Sequence, residues 1–180
     1  VTDYPVQDPN NADDIEDGLS IPDDHGRERS AARWLALQVL YEVDSTHHLR
    51  GEVLTHHLGR YDLLPVTREY TYKLVNGVLD NQPLLDQILQ TVATEYPLDQ
   101  VAVIDRNLLR IAVYEYSLLG HLPIGVVTDE AVRLAKHFGA DSAPRFVNGV
   151  LGGVFANKTE LTALIDSYTP TDNATSEDTP

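Results

Sequence analysis

The chain has no cysteine and no methionine. Without cysteine there can be no disulfide, no thiolate metal site and no cysteine nucleophile, a composition that suits the cytoplasm. No run of 18 apolar residues occurs, so no membrane span is expected. The opening residues are acidic and polar and do not read as a signal peptide. The chain begins at Val1, which an initiator codon read as valine or a trimmed terminus would each explain. Basic residues are also scarce: 13 Lys and Arg stand against 28 Asp and Glu, for a formal net charge of −15.

That balance argues against a nucleic-acid partner until its distribution is considered. Residues 1–24 hold eight acids and no Lys or Arg, and 159–180 hold five acids and again no base, leaving 15 acids against all 13 bases between them. Both ends are rich in Pro, Asp, Asn, Thr and Ser, which cannot bury enough apolar surface to order themselves. Residues 1–25 and 159–180 are therefore expected to be disordered acidic tails around a near-neutral folded part, 26–158.

Catalytic signatures are missing as well. There is no GxxxxGK[ST] phosphate loop, no GxGxxG after a strand, no HExxH and no GxSxG elbow. Gly149, Gly152 and Gly153 lie inside an apolar helical stripe and read as small residues that let helices approach closely. No cofactor and no catalytic group is expected. His47, His48, His56 and His57 invite a metal reading, but adjacent histidines on a helix diverge by about 100°. They read as surface histidines rather than metal ligands.

What is present is helical periodicity. The chain is organised around 101–157, where three apolar stripes follow one another at three- and four-residue steps. The first includes Ile104, Leu108, Ile111 and Ala112, with Gly120 placed for a left-handed cap. The second runs Val127, Ala131, Leu134, Ala135 and Phe138, closed by Gly139. The third has Val147, Val150, Leu151 and Val154, with Asp141 or Ser142 as cap and Pro144 in its first turn. Upstream, a first helix begins near 27–30, a short second spans about 52–58, a third follows Pro65 with Thr67 as cap, and a fourth is capped by Asn81. Asp99 is expected to cap the fifth. No alternating strand pattern appears, so the fold class is all-α.

Three features carry functional weight. Arg27, Arg29 and Arg33 crowd the start of the first helix, where positive charge opposes the helix dipole. A phosphate neighbour would explain them, because backbone N–H groups and guanidinium groups then act together. A solvated cap paired with Asp23, Asp24 and Glu28 is the plainer alternative. Arg145–Phe146 joins a cation to an aromatic face, which suits an unstacked RNA base, although Phe146 also fits a core position. Asp99 and Asp105 bracket a helix start, where acids belong for stability and where a basic protein could dock. Glu130 reads as a partly buried structural carboxylate.

The blocks IDRNLLRIAVYEY, PxxVxxDEAVRLAKHFG and RFVNGVL, with AARWLALQVLYEVD upstream, resemble the signature blocks of the NusB family of transcription antitermination factors. The resemblance runs from about Arg27 to Asn157 in order and spacing. It implies about seven helices in two small helical-bundle subdomains, near 26–80 and 81–158, and no enzymatic activity. It also implies binding to boxA-type RNA together with NusE, a small-subunit ribosomal protein, within an RNA polymerase antitermination complex on ribosomal RNA operons. Carried over by position, the RNA contacts would be Arg27, Arg29, Arg33, Tyr41, Arg145 and Phe146, and the NusE-facing acids Asp99 and Asp105. This sequence departs from the family in a thinner arginine run, in Ala143, where a serine is usual, and in its long acidic N-terminal stretch. The same fold also serves as the N-terminal module of RNA cytosine methyltransferases, an alternative that the acidic stretch after the helices disfavours. A helical homodimer with purely protein contacts is a third reading.

Overall fold

The computed structural model describes residues 24–46, 48–93, 97–120 and 122–168. The expected tails over 1–23 and 169–180 lie outside the described residues, as does His47. Among the described residues there are eight α-helices and no strand: α1 (Asp24–Thr46), α2 (Arg50–Gly59), α3 (Pro65–Asp80), α4 (Gln82–Val92), α5 (Val103–Tyr114), α6 (Ile124–Phe138), α7 (Ala143–Ala156) and α8 (Lys158–Ser167). A 3-10 turn, Leu98–Gln100, precedes α5, and a π-helical turn, Glu115–Leu119, extends it.

The apolar stripes read from sequence form the core. Leu35, Ala36, Val39 and Leu40 of α1 are buried, as are Leu74, Val75 and Val78 of α3, Leu108, Leu109 and Ala112 of α5, and Val147, Leu151 and Val154 of α7. Helix α5 is the hub: it packs against α1, α3, α4, α6 and α7, so one hydrophobic cluster runs through the molecule. Two glycines make close crossings possible. A Cβ at Gly77 of α3 would fall 1.9 Å from the Tyr114 ring, and one at Gly153 of α7 would fall 2.4 Å from Val92 of α4. Gly149 and Gly152 do not share this role, because a Cβ at either would meet nothing within 4 Å. Gly120 adopts φ 66°, the left-handed cap its position called for.

Several boundaries differ from the sequence reading. Helix α8 replaces the first part of the expected C-terminal tail. Leu161 is buried, and Leu164, Ile165 and Tyr168 pack on the core. Their i, i+3, i+4, i+7 spacing is a helical face that the acidic composition obscured. Thr67 is not a cap: α3 starts at Pro65, whose missing N–H costs nothing in a first turn, and Thr67 is buried. Asn81 stands at the start of α4, but its Nδ2 donates to the carbonyl of Gly77 at 2.8 Å and closes α3 instead. Asp99 lies in the 3-10 turn, and Ala102 occupies the cap position of α5. His57 is not on the surface: it is buried, with Nε2 2.8 Å from Glu42 Oε2.

Candidate nucleic-acid interface

The first turns of α1 set out the three arginines unequally. Arg27 and Arg29 are exposed, whereas Arg33 is buried. Arg33 shares a face with Ser30, Leu37 and Leu40, all buried, so the helix turns it inward. Arg33 is therefore corrected from an RNA contact to an internal ion-pair residue. Its Nε donates to Glu115 Oε1 and Oε2 at 3.0 and 2.8 Å, and its Nη1 donates to Glu130 Oε2 at 3.2 Å.

The cluster extends across four helical segments. Ser30 Oγ donates to Glu130 Oε2 at 2.8 Å, Arg133 Nη2 donates to the same oxygen at 3.0 Å, and Tyr70 Oη donates to Glu115 Oε1 at 2.5 Å. Burial alone would raise the Glu130 carboxyl's pKa, but Arg133 first and then Arg33 and Ser30 outweigh it and hold it below the ordinary range. Burial likewise opposes the charge on Arg33, and Glu115 and Glu130 reverse that and raise its pKa. Glu130 is thus the structural carboxylate its sequence setting suggested, receiving donors from side chains of α1 and its own helix. Glu115 was not singled out in the sequence, although an acid between Tyr114 and Tyr116 at the end of an apolar stripe is a visible anomaly. It sits in the π-helical turn, a wider geometry that recurs at functional sites.

The far end of α1 carries a second cluster. Asp44 Oδ2 accepts from Arg106 Nη2, Asn107 Nδ2 and Arg110 Nη1 at 3.2, 3.1 and 2.9 Å. Arg110 also makes a bidentate pair with Asp86 of α4 at 2.7 and 2.8 Å. Arg106 Nη1 donates to the carbonyl of Leu98 at 3.0 Å and so ties the turn bearing Asp99 to this end of α1. Half-buried Tyr41 stands one turn before Asp44, and about 18 Å of helix rise separates it from Arg29. Asp99 itself is exposed.

Asp105 is corrected from a partner-facing acid to an internal one. It is buried, its Oδ1 has no hydrogen-bond partner, and burial raises its carboxyl pKa. The α6–α7 turn covers it: a Cβ at Gly139 would lie 3.1 Å from that oxygen. Two residues beyond the helix start, its side chain faces inward where Asp99 faces solvent.

Arg145 is exposed on the first turn of α7, and Phe146 beside it is half-buried against the core. Its packing matches the core reading, and its partial exposure leaves room for a contact from outside. The α7 start is linked to α1 through the short 139–142 turn and Phe138, whose ring lies 6.3 Å from Trp34.

Comparison with known proteins adds the family. The NusB family model matches residues 30–168. A transcription antitermination protein NusB from Acidothermus cellulolyticus is 42% identical over 136 residues, covering 75% of this chain and 92% of the relative. The one from Chloroflexus aggregans is 40% identical over 129 residues, covering 71% and 86%. Among solved structures, T. maritima NusB superposes with a TM-score of 0.66 at 26% identity, covering 75% of this chain and 96% of that one. A chain in the crystal structure of the antitermination factors NusB and NusE in complex with double-stranded RNA gives a TM-score of 0.67 at 29% identity, covering 72% and 97%. The match takes in all eight helices except the first turns of α1, and with these relatives it shows that this chain belongs to the NusB family of transcription antitermination proteins.

Proposed function

We propose that the chain binds boxA-type RNA together with a NusE-like ribosomal protein and joins the RNA polymerase complex that reads through ribosomal RNA operons, acting by binding rather than catalysis in the cytoplasm. The observation that carries this reading is the exposed pair Arg27 and Arg29 at the start of α1. Cations there work against the helix dipole, and a phosphate neighbour turns that cost into a gain. The solved complex of NusB, NusE and double-stranded RNA supports the choice of partners. In this reading Arg27, Arg29, Tyr41, Arg145 and the accessible edge of Phe146 face RNA, and Asp99 faces the protein partner.

The test is a titration of the full chain with a boxA-like RNA, with and without NusE, across salt concentrations. Binding should weaken steeply with salt as phosphate contacts displace counterions, and NusE should tighten it. Arg29→Glu should weaken binding by about tenfold or more while leaving helicity unchanged, because a phosphate contact becomes a repulsion. An Arg29→Glu variant that binds as well as the unaltered chain, or a NusE that leaves affinity unchanged, sinks the reading.

A further inference from the structure

Arg29 does not project freely from α1. Its guanidinium carbon stands 5.7 Å from the centroid of the Tyr70 ring, and that of Arg33 stands 6.0 Å from the same ring. An aromatic face attracts a guanidinium at this range through its quadrupole. The ring is itself fixed. Tyr70 Oη donates to Glu115 at 2.5 Å, and Glu115 is held by Arg33 at 2.8 Å. Burial first, and then the Glu115 charge, push the Tyr70 phenol's pKa up, so it stays protonated as a donor. The π-helical turn of the α5 extension supplies Glu115, α3 supplies Tyr70, and α1 supplies both arginines. Three segments thus converge on one exposed cation.

We propose that Tyr70 is a positioning residue for RNA binding: its ring, anchored by Glu115, holds the exposed Arg29 guanidinium in place for an RNA phosphate. This rests on the functional reading above. A long arginine side chain loses rotamer freedom when it grips a ligand. Docking on an aromatic face removes part of that freedom beforehand, so the phosphate meets a guanidinium already limited in its motion. A tyrosine suits the task better than a phenylalanine, because the hydroxyl bond to Glu115 fixes the ring's own rotation.

The test compares Tyr70→Leu, Tyr70→Phe, Arg29→Gln and the double variant Tyr70→Leu/Arg29→Gln, all in the full chain and titrated with a boxA-like RNA. Tyr70→Leu should weaken RNA binding about two- to fivefold. Tyr70→Phe keeps the ring and should recover most of that loss even where its thermal stability falls. In the Arg29→Gln background, Tyr70→Leu should have no further effect on affinity. The Arg29 Nε–H NMR signal should be distinct in the unaltered chain and average toward that of a freely rotating arginine in Tyr70→Leu. Additive losses in the double variant, or an unchanged Arg29 signal and RNA affinity in a folded Tyr70→Leu, overturn the proposal and leave the functional reading standing. Absence of RNA binding by the unaltered chain sinks both.

Discussion

Helix α1 carries an arginine-centred cluster at each end, and the two differ in access to water. In the cluster near its start, the Arg33, Glu115 and Glu130 side chains are only 4%, 1% and 8% exposed. In the other, Arg110 is 4% exposed, but its partners Asp44 and Asp86 are 15% and 30% exposed. Both join α1 to α5 or its extension, and the first also reaches α6 while the second reaches α4. The difference teaches where rigidity is concentrated. Water can still solvate the second cluster when a partner is lost. The first has no such recourse, and it lies directly beneath the surface that offers Arg29.

The largest expected effect follows from breaking the dry cluster. Glu115→Ala leaves the Arg33 guanidinium buried with its main counter-charge gone, which should cost about 3–5 kcal/mol in denaturant unfolding. A loss below about 1 kcal/mol would erase the contrast between the clusters. Asp86→Ala should cost less, about 1–2 kcal/mol, because Arg110 keeps Asp44 and the vacated site is partly solvated. An equal or larger loss than for Glu115→Ala would invert the ranking.

The pH dependence sharpens the same comparison. The Glu130 carboxyl has a folded pKa below its unfolded value. Its contribution is therefore complete above the ordinary glutamate value of about 4.3 and is lost as pH falls through the lowered folded value. Glu130→Gln should remove that part of the acid-induced loss in melting temperature measured between neutral and acid pH. An unchanged acid profile would show that the cluster does not report its ionisation in stability. The smallest effect belongs to the surface pair Arg50–Asp80, whose side chains are about half exposed. Arg50→Ala should shift stability by less than about 0.5 kcal/mol, and a larger loss would mean that exposure is the wrong axis for ranking these pairs.

Much of the fold was legible because periodicity and caps are local. The stripe from Ile104 to Ala112, the left-handed Gly120 and the close of α6 at Gly139 each follow from spacing and the conformational needs of one residue. Helix α8 was hidden by composition, since the four apolar positions that dock it sit among polar and acidic neighbours. The candidate site was legible only in part. Arg27, Arg29, Arg145 and Asp99 remain exposed as their residue types suggested. Arg33 and Asp105 do not, because a charged side chain in a helix faces whichever way its turn directs it, and the acids or the turn it meets come from distant sequence. Tyr70 carried no local signal of a role, and Glu115 showed only as an acid at the end of an apolar stripe, as the bond between them joins residues 45 positions apart.

The sequence by itself determined the first seven helices, their order and the family, because hydrophobic periodicity and signature blocks are written along the chain. Only the tertiary structure decided which arginines reach solvent. The inward face of α1 is defined by the carboxylates of Glu115 and Glu130, brought there from 82 and 97 residues away. A buried cation requires its counter-charge in space, and no local pattern records that distance.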